Sequence, residues 1–90
     1  MLTPVRSTRF KRDVKKAEQS GRNMARLRSC IICLLEGGLL PESFRDHALT
    51  GNWKGYRDIH IEPDWLLIYR ITDDKLHLVR TGSHSELFKK

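Results

Sequence analysis

The spacing of apolar and polar positions predicts a helical first part of the chain and a sheet in the second. "LTPVRS" at residues 2–7 is typical of a short strand. Phe10, Val14 and Ala17 then recur at helical spacing, with Lys and Arg between them, up to about Gln19. Ser7 or Thr8 supplies the N-cap that such a helix requires.

A second helix is predicted after Ser20-Gly21, with Asn23 as its N-cap. Its apolar stripe follows the pattern i, i+3, i+7, i+10 and i+11, namely Met24, Leu27, Ile31, Leu34 and Leu35. Gly37-Gly38 and then Pro41 end the stripe. The pattern therefore predicts a helical hairpin over residues 8–36.

The rest of the chain predicts an antiparallel sheet. "YRDIHI", "WLLIYRI" and "KLHLVRT" are rich in β-branched and aromatic residues, and "EPD" and "TDD" are tight enough for hairpin turns. "HALTG" is a possible short extended segment before these runs, and "GSHSELFKK" is a tail or a short final turn after them. This order predicts an α+β fold, a single sheet with the helices on one face.

Strand alternation assigns side chains to the two faces of that sheet. In "YRDIHI", Tyr56, Asp58 and His60 point one way, and Arg57, Ile59 and Ile61 point the other. "WLLIYRI" is apolar on both faces, which is typical of a central strand. We expect the helices to leave the polar face open, as a functional surface.

Charge divides the chain unequally. The chain has 90 residues, which predicts one domain over residues 1–90, and a net charge of +6. Residues 1–28 hold nine Lys/Arg against two Asp/Glu, and residues 29–90 hold eight against nine. A basic third on a nearly neutral body favours a phosphate backbone as partner. The equal alternative is that these side chains only solvate the outer face of a helix.

No targeting or membrane segment is visible in the sequence. The first residues, "MLTPVRSTRFKRD", lack the apolar core of a signal peptide, and the apolar run "CIICLL" is too short to span a bilayer. We therefore expect a cytoplasmic protein. Cys30 and Cys33 lie in the apolar stripe of a helix, so we predict reduced core residues rather than a redox pair.

Several side chains suit proton transfer on a phosphate ester. His47, His60, Asp64 and His84 fall in loops and strand ends. The cations Lys54, Arg57 and Arg80 suit phosphate binding, and Phe88 suits stacking on a base. RNA supplies its own nucleophile, the 2′-hydroxyl, so cleavage needs only a base, an acid and a cation for the charged phosphorane.

Metal binding is the competing interpretation of the same residues. Three histidines and a carboxylate can hold zinc. Their separations of 13, 4 and 20 positions match no compact metal motif, so we predict neither a metal nor another cofactor. A fourth histidine, His77, is interpreted as a surface residue.

Residues 46–88 resemble one family in fixed register. "DHALTGNWKGYRDIHIEPDWLLIYRI" and "LVRTGSHSELF" fit the patterns DHxLxGxWKGYRDxHxxPDWxLIY and RTGxHxxLF. These are the patterns of the YafQ branch of the RelE superfamily of bacterial toxins. The N-terminal third is similar in layout and charge only. The resemblance implies a RelE-like fold, with an N-terminal strand and a helical hairpin packed on a small, mainly antiparallel sheet.

The resemblance also implies an activity and partners. Members are ribosome-dependent mRNA endoribonucleases, the toxins of type II toxin–antitoxin systems. The implied partners are the ribosome, mRNA and a DNA-binding, DinJ-like antitoxin, with operator DNA reached only through the antitoxin complex. The basic helices would then face ribosomal RNA. The codon preference, the identity and stoichiometry of the antitoxin, and activity in the host are not readable from the sequence.

The functional positions of the family carry over to this chain one by one. Asp64 and His84 are then the main proton-transfer pair, in an unassigned order, and His47 and His60 orient the phosphate or share the proton transfer. Arg80 is expected to stabilise the transition-state charge. RNA contacts are expected from Lys54, Arg57, Trp65 and Phe88, although Trp65 also suits the core. Two alternatives remain open: a non-catalytic RNA- or ribosome-binding module, and an inactive toxin that only binds an antitoxin.

Overall fold

Five strands and three helices build the fold, as described in a computed structural model for residues 1–37 and 40–88. The strands are β1 (Thr3–Arg6), β2 (His47–Ala48), β3 (Arg57–Glu62), β4 (Trp65–Thr72) and β5 (Lys75–Gly82). The helices are α1 (Thr8–Gln19), α2 (Met24–Leu35) and α3 (His84–Phe88). Two single 3₁₀ turns, Glu42–Phe44 and Gly51–Trp53, flank β2. The predicted α+β class and helical hairpin are confirmed.

All five strands form one sheet in the order β1-β5-β4-β3-β2. β1 runs parallel to β5, and the other neighbours are antiparallel. The predicted hairpins close through two-residue turns, Pro63-Asp64 and Asp73-Asp74. Asp73 has a φ of 53°, a left-handed conformation that aspartate tolerates in turns. Gly37, with a φ of 73°, follows α2, and the predicted stop at Gly38 lies outside the described residues.

Polar contacts fix α1 against β5. The Ser7 hydroxyl accepts the Phe10 amide proton at 2.9 Å, which caps the helix, and donates to the Val79 carbonyl at 2.8 Å. One turn further on, the Asp13 carboxylate accepts two hydrogen bonds from the Arg80 guanidinium, at 2.7 and 3.2 Å. The hydroxyl and the carboxylate thus join the beginning of the chain to its last strand.

The main core lies between the helices and one face of the sheet. The helices contribute Phe10, Ala17, Leu27, Cys30 and Leu34. The sheet contributes Ile59, Ile61, Trp65, Leu67, Tyr69, Leu76 and Leu78. Cys30 is buried as predicted, and burial raises the pKa of its thiol. Arg26 of α2 adds two hydrogen bonds to the Ile61 carbonyl, at 3.2 and 2.8 Å.

The second face of the sheet is covered in part, which corrects the expectation of an open face. Leu66 and Ile68 of β4 are fully buried there against Leu87 of α3. Trp53, Tyr56 and Phe88 pack around this second cluster. The segment predicted as a tail or turn therefore contains a short helix with a structural role. No helix within residues 1–37 and 40–88 is long and apolar enough to cross a membrane.

Substitution of the Ser7 cap tests how α1 is held. Ser7→Ala removes the cap and leaves the Phe10 amide and Val79 carbonyl without this partner. We expect the free energy of unfolding, measured in urea, to fall by about 1–2 kcal/mol. Ser29→Ala, on the exposed side of α2, is the control and is expected to change it by less than about 0.5 kcal/mol. Equal effects of the two substitutions would contradict the role of Ser7.

Candidate active site

Three of the predicted histidines come together where β2, β3 and α3 meet. His47 pairs with Asp58 across β2 and β3, and His60 follows two residues later on β3. Leu66 of β4 pairs with both His60 and Gly82, which brings the beginning of α3 beside His60. The ring centroids lie 6.2 Å apart for His47 and His60 and 5.4 Å apart for His60 and His84.

Asp64, in the turn between β3 and β4, holds His84 in place. Its Oδ1 accepts hydrogen bonds from Nδ1 of His84 at 2.6 Å and from the backbone amide of His84 at 3.0 Å. These two hydrogen bonds lower the pKa of Asp64, so this carboxyl is ionised at neutral pH. Because a carboxylate only accepts, Nδ1 of His84 carries its proton, and Nε2 is the ring nitrogen not bound to Asp64.

Asp58 is a central member of the site that the sequence-based selection omitted. The residue is 3% exposed, and its Oδ1 lies 3.0 Å from Nδ1 of His47. That nitrogen donates instead to the Arg45 carbonyl at 2.7 Å, so Oδ1 of Asp58 has no hydrogen-bond partner among the described residues. Burial raises the pKa of Asp58, against the opposing effect of the three histidines. Strand alternation had already assigned Asp58 to the face of His60.

His60 occupies the middle of the cluster in an unusual environment. Its Nδ1 is buried and has no hydrogen-bond partner in the described part of the chain. Burial lowers the pKa of His60, and the nearby charges of His84, Arg45 and His47 lower it further, while Asp58 raises it. His60 is therefore a neutral imidazole at neutral pH, the form that accepts a proton.

Aromatic side chains border the histidines on one side. Phe88 of α3 lies 6.5 Å from His84 and 6.5 Å from Trp53, measured between ring centroids. Phe88 is half-buried, so it both anchors α3 on the sheet and borders the site. Trp65, in contrast, is completely buried on the helix side of the sheet. The expectation that Trp65 contacts RNA is wrong, because its ring belongs to the main core.

The cations that were expected to bind phosphate do not all lie beside the histidines. Arg80 is only 15% exposed and is bound by Asp13 of α1, so the structure does not place it with the histidines as the transition-state cation. The pairing raises the pKa of Arg80. Lys54 is exposed after the second 3₁₀ turn. His77 forms a hydrogen bond with the Thr72 hydroxyl at 2.7 Å, away from the other three histidines.

Arg57 points to the helix side of the sheet, as its alternation predicts. Its Nε donates to Asp46 at 3.1 Å, and the Tyr69 hydroxyl donates to the same carboxylate at 2.8 Å. The cation whose charge acts on His60 is Arg45, which the sequence-based selection omitted. Its place directly before Asp46 and His47 was the available signal.

Comparison with known proteins identifies relatives over nearly the whole chain. A sequence profile described as "Bacterial toxin of type II toxin-antitoxin system, YafQ" matches residues 2–89. The mRNA interferase toxin YafQ of Escherichia coli K12 is 46% identical over 83 residues, which cover 91% of this chain and 90% of that protein.

Solved structures of relatives superimpose closely on this fold. The crystal structure of E. coli YafQ gives a TM-score of 0.93 at 42% identity and covers 98% of this chain and 99% of that one. The same identity and coverage, with a TM-score of 0.91, hold for YafQ in the E. coli DinJ–YafQ complex.

A metal-bound toxin from Helicobacter pylori gives a TM-score of 0.92 at 39% identity and covers 98% of this chain and 100% of that one. In the described part of this chain, no three His, Cys, Asp or Glu side chains are arranged to hold a metal ion. Nδ1 of His47 donates to the Arg45 carbonyl, and Nδ1 of His84 donates to Asp64.

The Asp58 carboxylate is expected to control the protonation of His60. Because Asp58 raises the pKa of His60, Asp58→Asn should lower the titration midpoint of this ring further below the ordinary value of 6.5. The midpoint is measured by following the His60 ring protons by NMR as a function of pH. Asp74→Asn, in the turn between β4 and β5, is the control and should leave it unchanged. An unchanged midpoint in Asp58→Asn would refute the coupling.

Acid is expected to weaken the attachment of α3. Two hydrogen bonds lower the pKa of Glu86 to about 2. The one from Lys16 of α1 has the larger effect, and the one from the Ser83 amide has the smaller effect. A carboxyl whose folded-state pKa is depressed stabilises the fold above its unfolded pKa, near 4.5, and this stabilisation is lost as the pH falls toward 2.

Melting temperatures between pH 2 and pH 6 test this dependence. Glu86→Gln should melt below the wild type at pH 6, and the difference should vanish as the pH approaches 2. Glu18→Gln, at an exposed position of α1, is the matched control and should follow the wild-type curve. A constant difference at every pH would show that the charge of Glu86 does not stabilise α3.

Proposed function

Because the chain belongs to the YafQ family of toxins of bacterial type II toxin–antitoxin systems, we propose that it is an mRNA endoribonuclease that inhibits translation. The E. coli relative carries the name mRNA interferase. The observation that carries the proposal is the contact of two differently held histidines, neutral His60 and Asp64-bound His84, at 5.4 Å. Two such rings on either side of a phosphate provide a base and an acid.

In the proposed reaction His60 is the general base. The neutral ring removes the proton from the RNA 2′-hydroxyl, whose oxygen attacks the adjacent phosphorus. The bond from phosphorus to the 5′-oxygen then breaks, which leaves a 2′,3′-cyclic phosphate. Asp58 lies beside His60, and its negative charge stabilises the imidazolium that forms on proton uptake.

His84 is the proposed general acid. Its ring is oriented by Asp64 through Nδ1 and acts in the doubly protonated form, in which Nε2 also carries a proton and delivers it to the departing 5′-oxygen. His47, fixed by the Arg45 carbonyl, is proposed to orient the phosphate. Phe88 is proposed to stack on a nucleotide at the border of the site, and the exposed Lys54 to bind the RNA backbone. Side chains supply every proton transfer, so the proposed reaction is independent of metal.

We further propose that cleavage requires the ribosome, in the cytoplasm where mRNA is translated. The exposed basic side chains of α1 and α2 support this proposal, since they offer a surface for ribosomal RNA. E. coli YafQ has been crystallised with DinJ, and we propose a DNA-binding antitoxin of that kind as the inhibitor of this chain. Contact with operator DNA would then occur through the antitoxin complex.

The site favours an enzyme over a non-catalytic binding module or an inactive toxin. Asp58 and His60 each hold a buried polar atom with no hydrogen-bond partner among the described residues, as does Trp65 in the main core, and Asp58 and His60 lie together in the site. Such atoms reduce stability, by roughly 1–3 kcal/mol each, and add nothing to a surface that only binds RNA. Proton transfer gives a reason for both groups.

Cleavage of mRNA in a reconstituted translation reaction tests the proposal. We expect the wild type to cut mRNA only when ribosomes are present. Treatment of the protein with EDTA, followed by assay with a chelator concentration that leaves ribosomal magnesium intact, should not change the cleavage rate. His84→Ala should cut about 10²–10⁴-fold more slowly, because general acid catalysis is lost. His77→Ala, a histidine outside the cluster, is the matched control and should retain wild-type activity.

A second substrate tests the role of the 2′-hydroxyl. A message with a single 2′-deoxynucleotide on the 5′ side of the cleaved bond should remain intact, although the ribosome still presents it. Cleavage of that message would refute the proposed mechanism. Failure of the folded wild type to cut any message would refute the enzyme and favour the binding module or the inactive toxin.

A further inference from the structure

A groove extends from His60 toward α2, outside the histidine cluster. The residues that line its first cavity, of about 300 Å³, include Arg26, Phe44, Arg45, His60, Ile61 and Glu62. A second cavity, of about 340 Å³, is lined by Ala25, Arg26, Ser29 and Phe44. Because Arg26 and Phe44 line both, the two cavities adjoin. We refer to them together as the Phe44 groove.

Two arginines of the groove differ in how they are held. Arg26 is fixed by two hydrogen bonds to the Ile61 carbonyl and lies 4.0 Å from Glu62, but its side chain remains 47% exposed. Arg45 is exposed and has no carboxylate within ion-pair distance among the described residues. Arg57 and Arg80, in contrast, are each bound to a carboxylate. Arg45 is thus an uncompensated cation beside His60.

The backbone at Arg45 adds a reason to expect a role for this side chain. Its φ of 51° is the left-handed conformation, which costs a residue other than glycine roughly 1–2 kcal/mol. The conformation ends the 3₁₀ turn and directs the Arg45 carbonyl to His47. A glycine or an asparagine would adopt it more readily, and neither would place a positive charge there.

An aromatic ring that lines the same groove as two cations is suited to single-stranded RNA. Bases of any sequence stack on aromatic side chains, and arginines bind the phosphates between them. The groove begins at His60, the proposed base, so RNA lying in it would continue from the bond that is cut. Glu62 is the acidic residue of the lining, and Arg22 and Arg26 lie within 4.0 Å of it.

We propose that the Phe44 groove binds the nucleotide next to the cleaved bond, with the base against Phe44 and the phosphate between Arg45 and Arg26. The inference rests on the proposed nuclease function, because it takes His60 as the place of cleavage. It assigns to Arg45 the binding of phosphate charge that the sequence had suggested for Arg80. A protein segment in the groove is the alternative occupant that the test excludes or supports.

NMR titration with an RNA that cannot be cut locates the binding site directly. The probe is a trinucleotide with a 2′-O-methyl group on every ribose, added to the ¹⁵N-labelled protein. We expect the largest shifts at the amides of Phe44, Arg45 and Ile61. Arg45→Asn, which keeps the left-handed turn, should weaken binding about tenfold, and Arg45→Lys should restore most of it.

Matched variants separate a phosphate contact from general charge attraction. Lys75→Gln removes one positive charge at the other end of β5 and should leave the affinity unchanged. Arg45→Asn should reduce the slope of log affinity against log salt concentration by about 0.7, the contribution of one phosphate contact on a single strand. Phe44→Leu should weaken binding severalfold without changing that slope, because stacking releases no counterions.

The outcomes distinguish the groove from the enzyme. Cleavage of mRNA by the wild type, without trinucleotide shifts at the groove, would refute nucleotide binding in the groove and leave the nuclease proposal standing. Shifts at the groove, without mRNA cleavage under any condition, would support an RNA site and overturn the nuclease. If Arg45→Asn and Lys75→Gln weakened trinucleotide binding equally, the RNA would be attracted by net charge only, and the proposed binding in the groove would be refuted. Failure to bind RNA, with groove shifts on adding an antitoxin, would assign the groove to a protein segment.

Discussion

The complete burial of β4 on both faces is the constraint on which the rest of the structure depends. Trp65, Leu66, Leu67 and Ile68 are each 0% exposed, so neighbours must cover the strand on each side. The helical hairpin covers one side. The other is covered by α3 and the aromatic residues around it. Since α3 begins with His84, the apolar packing that hides β4 also brings the last histidine to His60.

Two carboxylates give the candidate site its chemical asymmetry. Asp58 is buried, which raises its pKa, and Asp64 lies at the surface, where hydrogen bonds from His84 lower its pKa. One carboxylate therefore acts on His60 through charge, and the other orients His84 through a direct contact. Environments that push the pKa values of titratable groups apart are the usual way for one site to provide an acid and a base. Here the sheet provides one environment and a turn provides the other.

The sequence predicted most of the secondary structure and three of the histidines that meet, because these depend on local pattern. Strand alternation placed Asp58 and His60 on one face, and the hairpin turns followed from short polar segments. α3 was not predicted as a helix because five residues are too few for a helical period. Trp65 was included among the RNA contacts because of its place beside Asp64, whereas its ring lies in the main core, the alternative that its apolar character had already suggested. The Arg80 partner, Asp13, lies 67 residues away in sequence, and no local pattern reveals such a pair.

The parallel pairing of β1 with β5 has a consequence for synthesis of the protein. β1 is made first, yet its neighbour in the described sheet is the last strand, and Ser7 and Asp13 also bond to β5. A nascent chain therefore holds β1 and α1 without their β5 partners until β5 has left the ribosome. Contacts between distant parts of a chain form late. In a protein of this topology, the proposed catalytic cluster can therefore assemble only after β5 and α3 have been made.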